Sequence, residues 1–177
     1  MSVIRRSVII AVVVLALVSG RGLAQGGVEL GMDAGLRLDL SDPSVTTFEV
    51  PIQSVRAGFL VTERISAEPA IGLNYFKFEG DDAVIAVNAD LAALVHLGRD
   101  GVRQGLYVRP VVGISFVDVG PESVSQFSAG AGVGVKLPLA DQLAARVEAS
   151  YRHGFENDDL LGTDVIGLSL GLSFFTR

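Results

Sequence analysis

The stretch VELGMDAGLRLDL, Val28 to Leu40, alternates between two chemistries. Its even positions are Val28, Leu30, Met32, Ala34, Leu36, Leu38 and Leu40; its odd positions are Glu29, Gly31, Asp33, Gly35, Arg37 and Asp39. Successive strand side chains point to opposite faces, so a period of two defines a strand with one apolar and one polar face. Its length exceeds the roughly five or six residues usual for a strand in a soluble domain. The pattern returns seven more times, which predicts an all-β chain of eight antiparallel strands in up-and-down order, closed into a barrel.

The later strands are predicted over Phe48–Thr62, Ala67–Tyr75, Ile85–Leu97, Leu106–Phe116, Phe127–Leu137, Leu143–Arg152 and Ile166–Phe174. In the first of these the apolar phase switches from Phe48, Val50 and Ile52 to Val55, Ala57, Phe59 and Val61. One extra residue reverses the alternation, so a bulge is expected near Gln53–Ser54. Pro110 cannot donate to a ladder and predicts either a bulge or a missing bond in its strand. Turn signals fall between the runs: Ser41–Asp42–Pro43, Glu63–Arg64, Gly80–Asp81–Asp82, Gly98 to Gly101, Gly120–Pro121, Pro138 to Asp141 and Asn157 to Gly162. Connections this short imply antiparallel neighbours.

The N-terminus reads differently. Arg5 and Arg6 precede an unbroken apolar run from Val8 to Val18, and Gly22 and Ala24 are the small residues before Gln25. This is the layout of a secretory signal peptide over residues 1–24, leaving 25–177 as one barrel domain. The apolar run is too short for a spanning helix, which needs about 20 residues. The whole chain has 14 Lys+Arg and 20 Asp+Glu; losing Arg5, Arg6 and Arg21 with the leader leaves a net charge of −9. An acidic chain is a poor match for nucleic acid, which calls for a basic patch. With no cysteine there is no disulfide framework and no thiolate metal site.

Alternation alone does not separate a membrane barrel from a soluble sandwich or lipocalin-like barrel, because each has one apolar and one polar face per strand. The polar face here is largely Gly, Ser and Ala with isolated charges, and the mature chain has only Lys77 and Lys136 as lysines. Glycine weakens a water-facing strand, whereas in a narrow lumen it makes room for a large neighbour. The mid-strand charges occur in both signs: Glu29, Asp33, Glu49, Glu68, Asp90 and Glu148 against Arg37, Arg56, Arg109, Lys136, Arg146 and Arg152. Buried charges must be paired, and eight strands enclose a lumen just wide enough for side chains to fill. Phe48, Tyr75, Phe116, Tyr151 and Phe174 sit near strand ends, as interfacial girdles would. The expectation is a transmembrane barrel with a charge network filling its lumen.

With these features the chain resembles the small eight-stranded outer-membrane barrels of the OmpA/OmpX type, within the porin-like outer-membrane proteins. The resemblance is one of architecture over the whole mature chain. It implies a Gram-negative outer membrane as location, membrane lipid and lipopolysaccharide as surroundings, and the barrel-assembly machinery as a partner. The closing strand resembles that machinery's recognition signal, with Phe174 or Phe175 as its aromatic, although Thr176 and Arg177 follow. With both termini in the periplasm, the outward loops fall near 41–47, 79–83, 118–125 and 155–163. Their charges, with Asp164, are all acidic: Asp42, Glu79, Asp81, Asp82, Asp118, Glu122, Glu156, Asp158 and Asp159. Glu79, Asp81, Asp82, Asp158 and Asp159 form a candidate rim for divalent cations shared with lipopolysaccharide phosphates. The 98–104 turn is long for the periplasmic side.

No motif calls for a cofactor or a firm metal site. His153 has Phe155 where a lipid A deacylase of this architecture would carry its serine nucleophile, so a solvated or interfacial role is expected. His96 reads as a lumen or turn residue. Gly130, Gly132 and Gly134 lack the spacing and the following helix of a phosphate loop, which leaves crowded strand packing. The expected function is non-enzymatic: a structural or surface-interaction barrel whose extracellular partner is not written in the sequence. The alternative is a lipid-modifying enzyme or a narrow channel for a small solute.

Overall fold

The computed structural model describes residues 27–40, 46–47, 54–76, 84–98, 102–119, 122–157 and 160–176. Eight strands form the barrel: β1 Val28–Asp39, β2 Ser54–Thr62, β3 Ile65–Phe76, β4 Val84–His96, β5 Gly105–Val119, β6 Glu122–Ala140, β7 Leu143–Gly154 and β8 Thr163–Phe175. Each pairs antiparallel with its sequence neighbour, and β1 pairs with β8 from Glu29↔Phe175 to Asp39↔Val165, which closes the sheet. Closure removes both free edges. One end carries the tight turns after β2 and β6 and the start and finish of the barrel; here it is called the closed end, and the opposite end the open end.

The seam at the closed end is tied beyond the strands. The Thr176 amide donates to the Val28 carbonyl, and the Val28 amide donates to Thr176 Oγ1, both at 2.8 Å. The residue that follows the terminal aromatics is thus part of the closure.

Three irregularities carry information. A two-residue segment, Thr46–Thr47, pairs with β1 at Leu38 and Arg37, while β2 begins opposite Asp33 at Ser54. Between these registers β1 advances four residues and its partner seven, an excess of three. An odd excess reverses the phase, as the switch from Phe48 to Val55 requires; the bulge site at Gln53 itself lies outside the described residues. Around Pro110 the β4–β5 ladder skips from Ala92↔Val111 to Val95↔Val108 with its register unchanged. The proline therefore omits pairing without a bulge. The 118–125 loop is corrected to a tight connection, because β5 runs to Val119 and β6 resumes at Glu122, opposite it.

The outward face is apolar from end to end. Leu30, Met32, Leu36, Leu73, Leu91, Val112, Val133, Leu168 and Leu172 are all exposed, and Leu170 is 62% exposed. A soluble monomer rarely shows a contiguous apolar patch of more than a few hundred Å². Along β8 the outward series Ile166, Leu168, Leu170, Leu172 and Phe174 spans eight residue steps. At about 3.3 Å per step and a tilt near 40° this rises ~20 Å, close to the ~25 Å apolar band of outer-membrane barrels. This is a surface built to face lipid. Tyr151, Phe127 and Phe155 stand exposed toward its open end and Phe174 at its closed end.

Candidate functional site

The inward series of the strands converge on one ion-pair cluster in the closed half of the lumen. Arg56 on β2 is its hub: Nε donates to Asp33 at 2.6 Å, Nη1 to Glu29 at 2.7 Å and Glu68 at 3.2 Å, and Nη2 to Ser173 at 2.7 Å. Glu68 on β3 is fully buried and also accepts from Arg109 at 2.9 Å and Arg146 at 2.7 Å. Glu148 on β7 takes the other bonds of these two arginines, from Arg146 at 2.5 Å and Arg109 at 3.3 Å. Lys136 on β6 donates to Glu29 and to the Val102 carbonyl.

The cluster thus joins Arg56, Arg109, Lys136 and Arg146 to Glu29, Asp33, Glu68 and Glu148, with the two signs balanced. Desolvation of so many charges is tolerable only when each is paired and hydrogen-bonded. The geometry meets that condition for every charged group with contacts from six different strands, although Asp33 Oδ1 is buried without a partner of its own. Glycine makes the space: a Cβ on Gly31 would collide with the Arg56 guanidinium, on Gly132 with Glu148, and on Gly134 with the Tyr107 hydroxyl.

The remaining candidates are placed as follows. Asp90 and Arg152 form a separate bidentate pair, both bonds 2.8 Å, nearer the open end. Arg37 is exposed and lines the open half of the lumen, apart from the Arg56 cluster. Glu49, Glu79, Asp81, Asp82, Asp158 and Asp159 lie outside the described residues, so the acidic rim receives no geometry. Phe174 points outward and Phe175 inward, where it is 6% exposed. His153 faces outward at the open end, as its phase requires, and His96 is buried in the lumen, 3.1 Å from Ser66 Oγ.

Several contributors were not among the sequence candidates. Tyr107 is fully buried, donates to Glu148 at 2.8 Å and accepts from Arg146 Nε at 2.5 Å; the guanidinium lies 4.8 Å from its ring centre. Its place in the inward series between His96 and Gly134 was the available signal. Ala92, Leu94, Tyr107 and Val111 form a small apolar cluster inside the barrel. The lumen is therefore not lined by charge alone. The long 98–104 turn has a purpose at the closed end. Val102 caps Lys136, while Arg103 donates to the Asp141 carbonyl at 3.2 Å and lies 5.5 Å from the Phe175 ring. Gly105, with φ of +92°, turns the chain out of this cap into β5 in a conformation that favours glycine.

The open half differs. A cavity of about 160 Å³ occupies it, walled by Ser54, Asn88, Ser150 and Ser169 and floored by Arg56, Arg109, Arg146 and Glu148. The charge network fills the closed half, while in the open half Arg37 and the Asp90–Arg152 pair line a cavity that they do not fill. Among the described residues no group of three His, Cys, Asp or Glu side chains is arranged to hold a metal ion.

A closed antiparallel barrel with a lipid-facing exterior and a charge-packed lumen defines a class, the small transmembrane β-barrels. No family model and no curated protein matches the chain. Among solved structures it is similar to Neisserial surface protein A, at 10% identity and a TM-score of 0.59, covering 87% of this chain and 99% of that one. The N-terminal β-barrel domain of Pseudomonas aeruginosa OprF is 19% identical with a TM-score of 0.48, covering 85% of this chain and 100% of that one. Ail of Yersinia pestis is 13% identical with a TM-score of 0.45, covering 85% and 97%. At these identities the likeness is one of fold.

Proposed function

We propose that this protein is a non-enzymatic outer-membrane barrel, exported by a cleaved leader over residues 1–24, with a structural or surface-interaction role and a lumen closed to bulk solute. The observation that carries the reading is the pairing of a lipid-facing exterior with the ion-pair cluster around Arg56 and Glu68, which crosses the lumen. A channel needs an aqueous path, whereas this cluster would have to break buried ion pairs to open one. Phe174 on the outer face and Phe175 inside would serve as the aromatic end of an assembly signal read by the barrel-assembly machinery. Lipopolysaccharide would surround the open end, with the acidic segments there sharing divalent cations with its phosphates.

The test is fractionation followed by electrophoresis and bilayer recording. The account expects the mature chain in the outer-membrane fraction, released only by detergent, with a folded band that shifts on heating. Refolded into planar bilayers, it should give no large stable conductance. Recovery from the soluble periplasm, or a persistent porin-sized current, would refute it.

A further inference from the structure

The cavity in the open half of the lumen is walled by neutral polar side chains that the protein leaves without partners. Ser54, Asn88, Ser150 and Ser169 reach it from β2, β4, β7 and β8. Among the described residues none of these four side chains hydrogen-bonds to protein, and none belongs to the polar atoms sealed off in the packing. Ser150 lies opposite Gly167 and Ser169 opposite Gly35, so no neighbouring side chain covers their hydroxyls. Their free donors and acceptors therefore open onto the cavity.

The charges on the floor are already matched. Arg56 and Arg146 each use Nε and both Nη atoms on the cluster. Glu148 accepts with both oxygens, and Asp33 turns its unpartnered Oδ1 onto Gly171. Higher up, Asp90 and Arg152 hold each other in their bidentate pair, and Arg37 is not free either. A guest with a net charge would stand uncompensated in a space of low dielectric, which is costly. Of the floor's arginine nitrogens, Arg109 Nη2 is the one without an acceptor among the described residues, while Glu68 and Glu148 balance its charge. It offers a charge-assisted donor to a neutral oxygen.

A cavity near 160 Å³ admits a benzene-sized guest where its walls are apolar. These walls are hydroxyls and an amide, so a guest of that size has to carry hydroxyls of its own. Water alone would fill the space with about five molecules at ~30 Å³ each. One guest with several hydroxyls replaces them while only one molecule is immobilised. We propose that the open-half cavity is a binding site for a small uncharged polyol of about three or four carbons. Its hydroxyls exchange hydrogen bonds with Asn88, Ser150 and Ser169 and accept from Arg109 Nη2. The packed half beneath makes this a blind pocket rather than a path. The site goes beyond the outer-membrane reading, since it needs the folded barrel and not its location.

The test is saturation-transfer NMR of carbon-13-labelled glycerol with the refolded barrel in a sugar-free zwitterionic detergent. Glycerol should receive saturation and titrate in the millimolar range, and inorganic phosphate at equal concentration should not displace it. Ser150→Ala with Ser169→Ala removes two hydroxyls without filling the space and should weaken binding about tenfold, as the loss of two neutral hydrogen bonds implies. Ser169→Leu fills the space and should abolish binding. The heat-shifted folded band should persist in both variants, because neither touches an ion pair. No saturation of glycerol by the folded wild-type barrel would mean that the cavity holds water only and would overturn the site. Displacement by phosphate, or a titration unchanged in both variants, would overturn it as well.

Discussion

The closed and open halves of the lumen are built by the same eight strands and the same alternation, yet one is packed solid and the other holds a cavity of about 160 Å³. In the closed half glycines face large groups: Gly31 faces Arg56, Gly132 faces Glu148 and Gly134 faces Tyr107. In the open half much of the wall is small against small, with Ser54 opposite Gly72, Ser150 opposite Gly167 and Ser169 opposite Gly35, and only Arg37 and the Asp90–Arg152 pair bring bulk. Inward-facing phase is therefore necessary for a plug but not sufficient. Large side chains and glycines must also be staggered against each other at one height of the barrel.

The largest expected effect lies in the closed half. Glu68→Ala leaves Arg56, Arg109 and Arg146 each without one of their carboxylates in a buried site. Breaking a buried ion pair from one side costs about 3–5 kcal/mol. Urea-induced unfolding in phospholipid vesicles should show a loss of that size, and a loss below ~1 kcal/mol would mean that water already screens the cluster. Outside the lumen, Leu168→Arg places a charge toward lipid near the middle of the β8 series and should cost about 2–4 kcal/mol by the same measurement.

Smaller effects separate the two halves directly. Gly134→Ala puts a Cβ against the Tyr107 hydroxyl and should destabilise by about 1–3 kcal/mol through overpacking. Ser169→Thr adds one methyl beside the cavity and should stay within ~0.5 kcal/mol. If Ser169→Thr proves the costlier of the two, the division of the lumen is misplaced.

The barrel itself is legible in the sequence because a period of two over residues such as Val28–Leu40 and Leu143–Arg152 has one structural reading. Strand ends are less so. Pro138 reads as a turn, yet pairing with Ala144 carries β6 on to Ala140, because the ladder with β7 overrides a local signal. The charges of the plug are visible as inward-phase residues, but their partners are not. Arg37 and Arg56 share a phase and a residue type; tilt and register put one at the open cavity and the other at the hub. Tyr107 falls on the inward phase, but an aromatic there reads as bulk, whereas its hydroxyl serves Glu148 and Arg146. Phe175 follows Ser173 on the inward phase, but its pairing with Glu29 is set only by barrel closure.

The division of the lumen can be read most directly by thiol accessibility. The chain has no cysteine, so single Ser169→Cys and Ser173→Cys variants report without background. Ser169 lines the open cavity, and Ser173 is fully buried against Arg56. In the folded barrel in vesicles, a small water-soluble thiol reagent should modify the cysteine at 169 readily and the one at 173 only after unfolding. Equal rates at the two positions in the folded state would contradict a lumen packed shut at one end and open at the other.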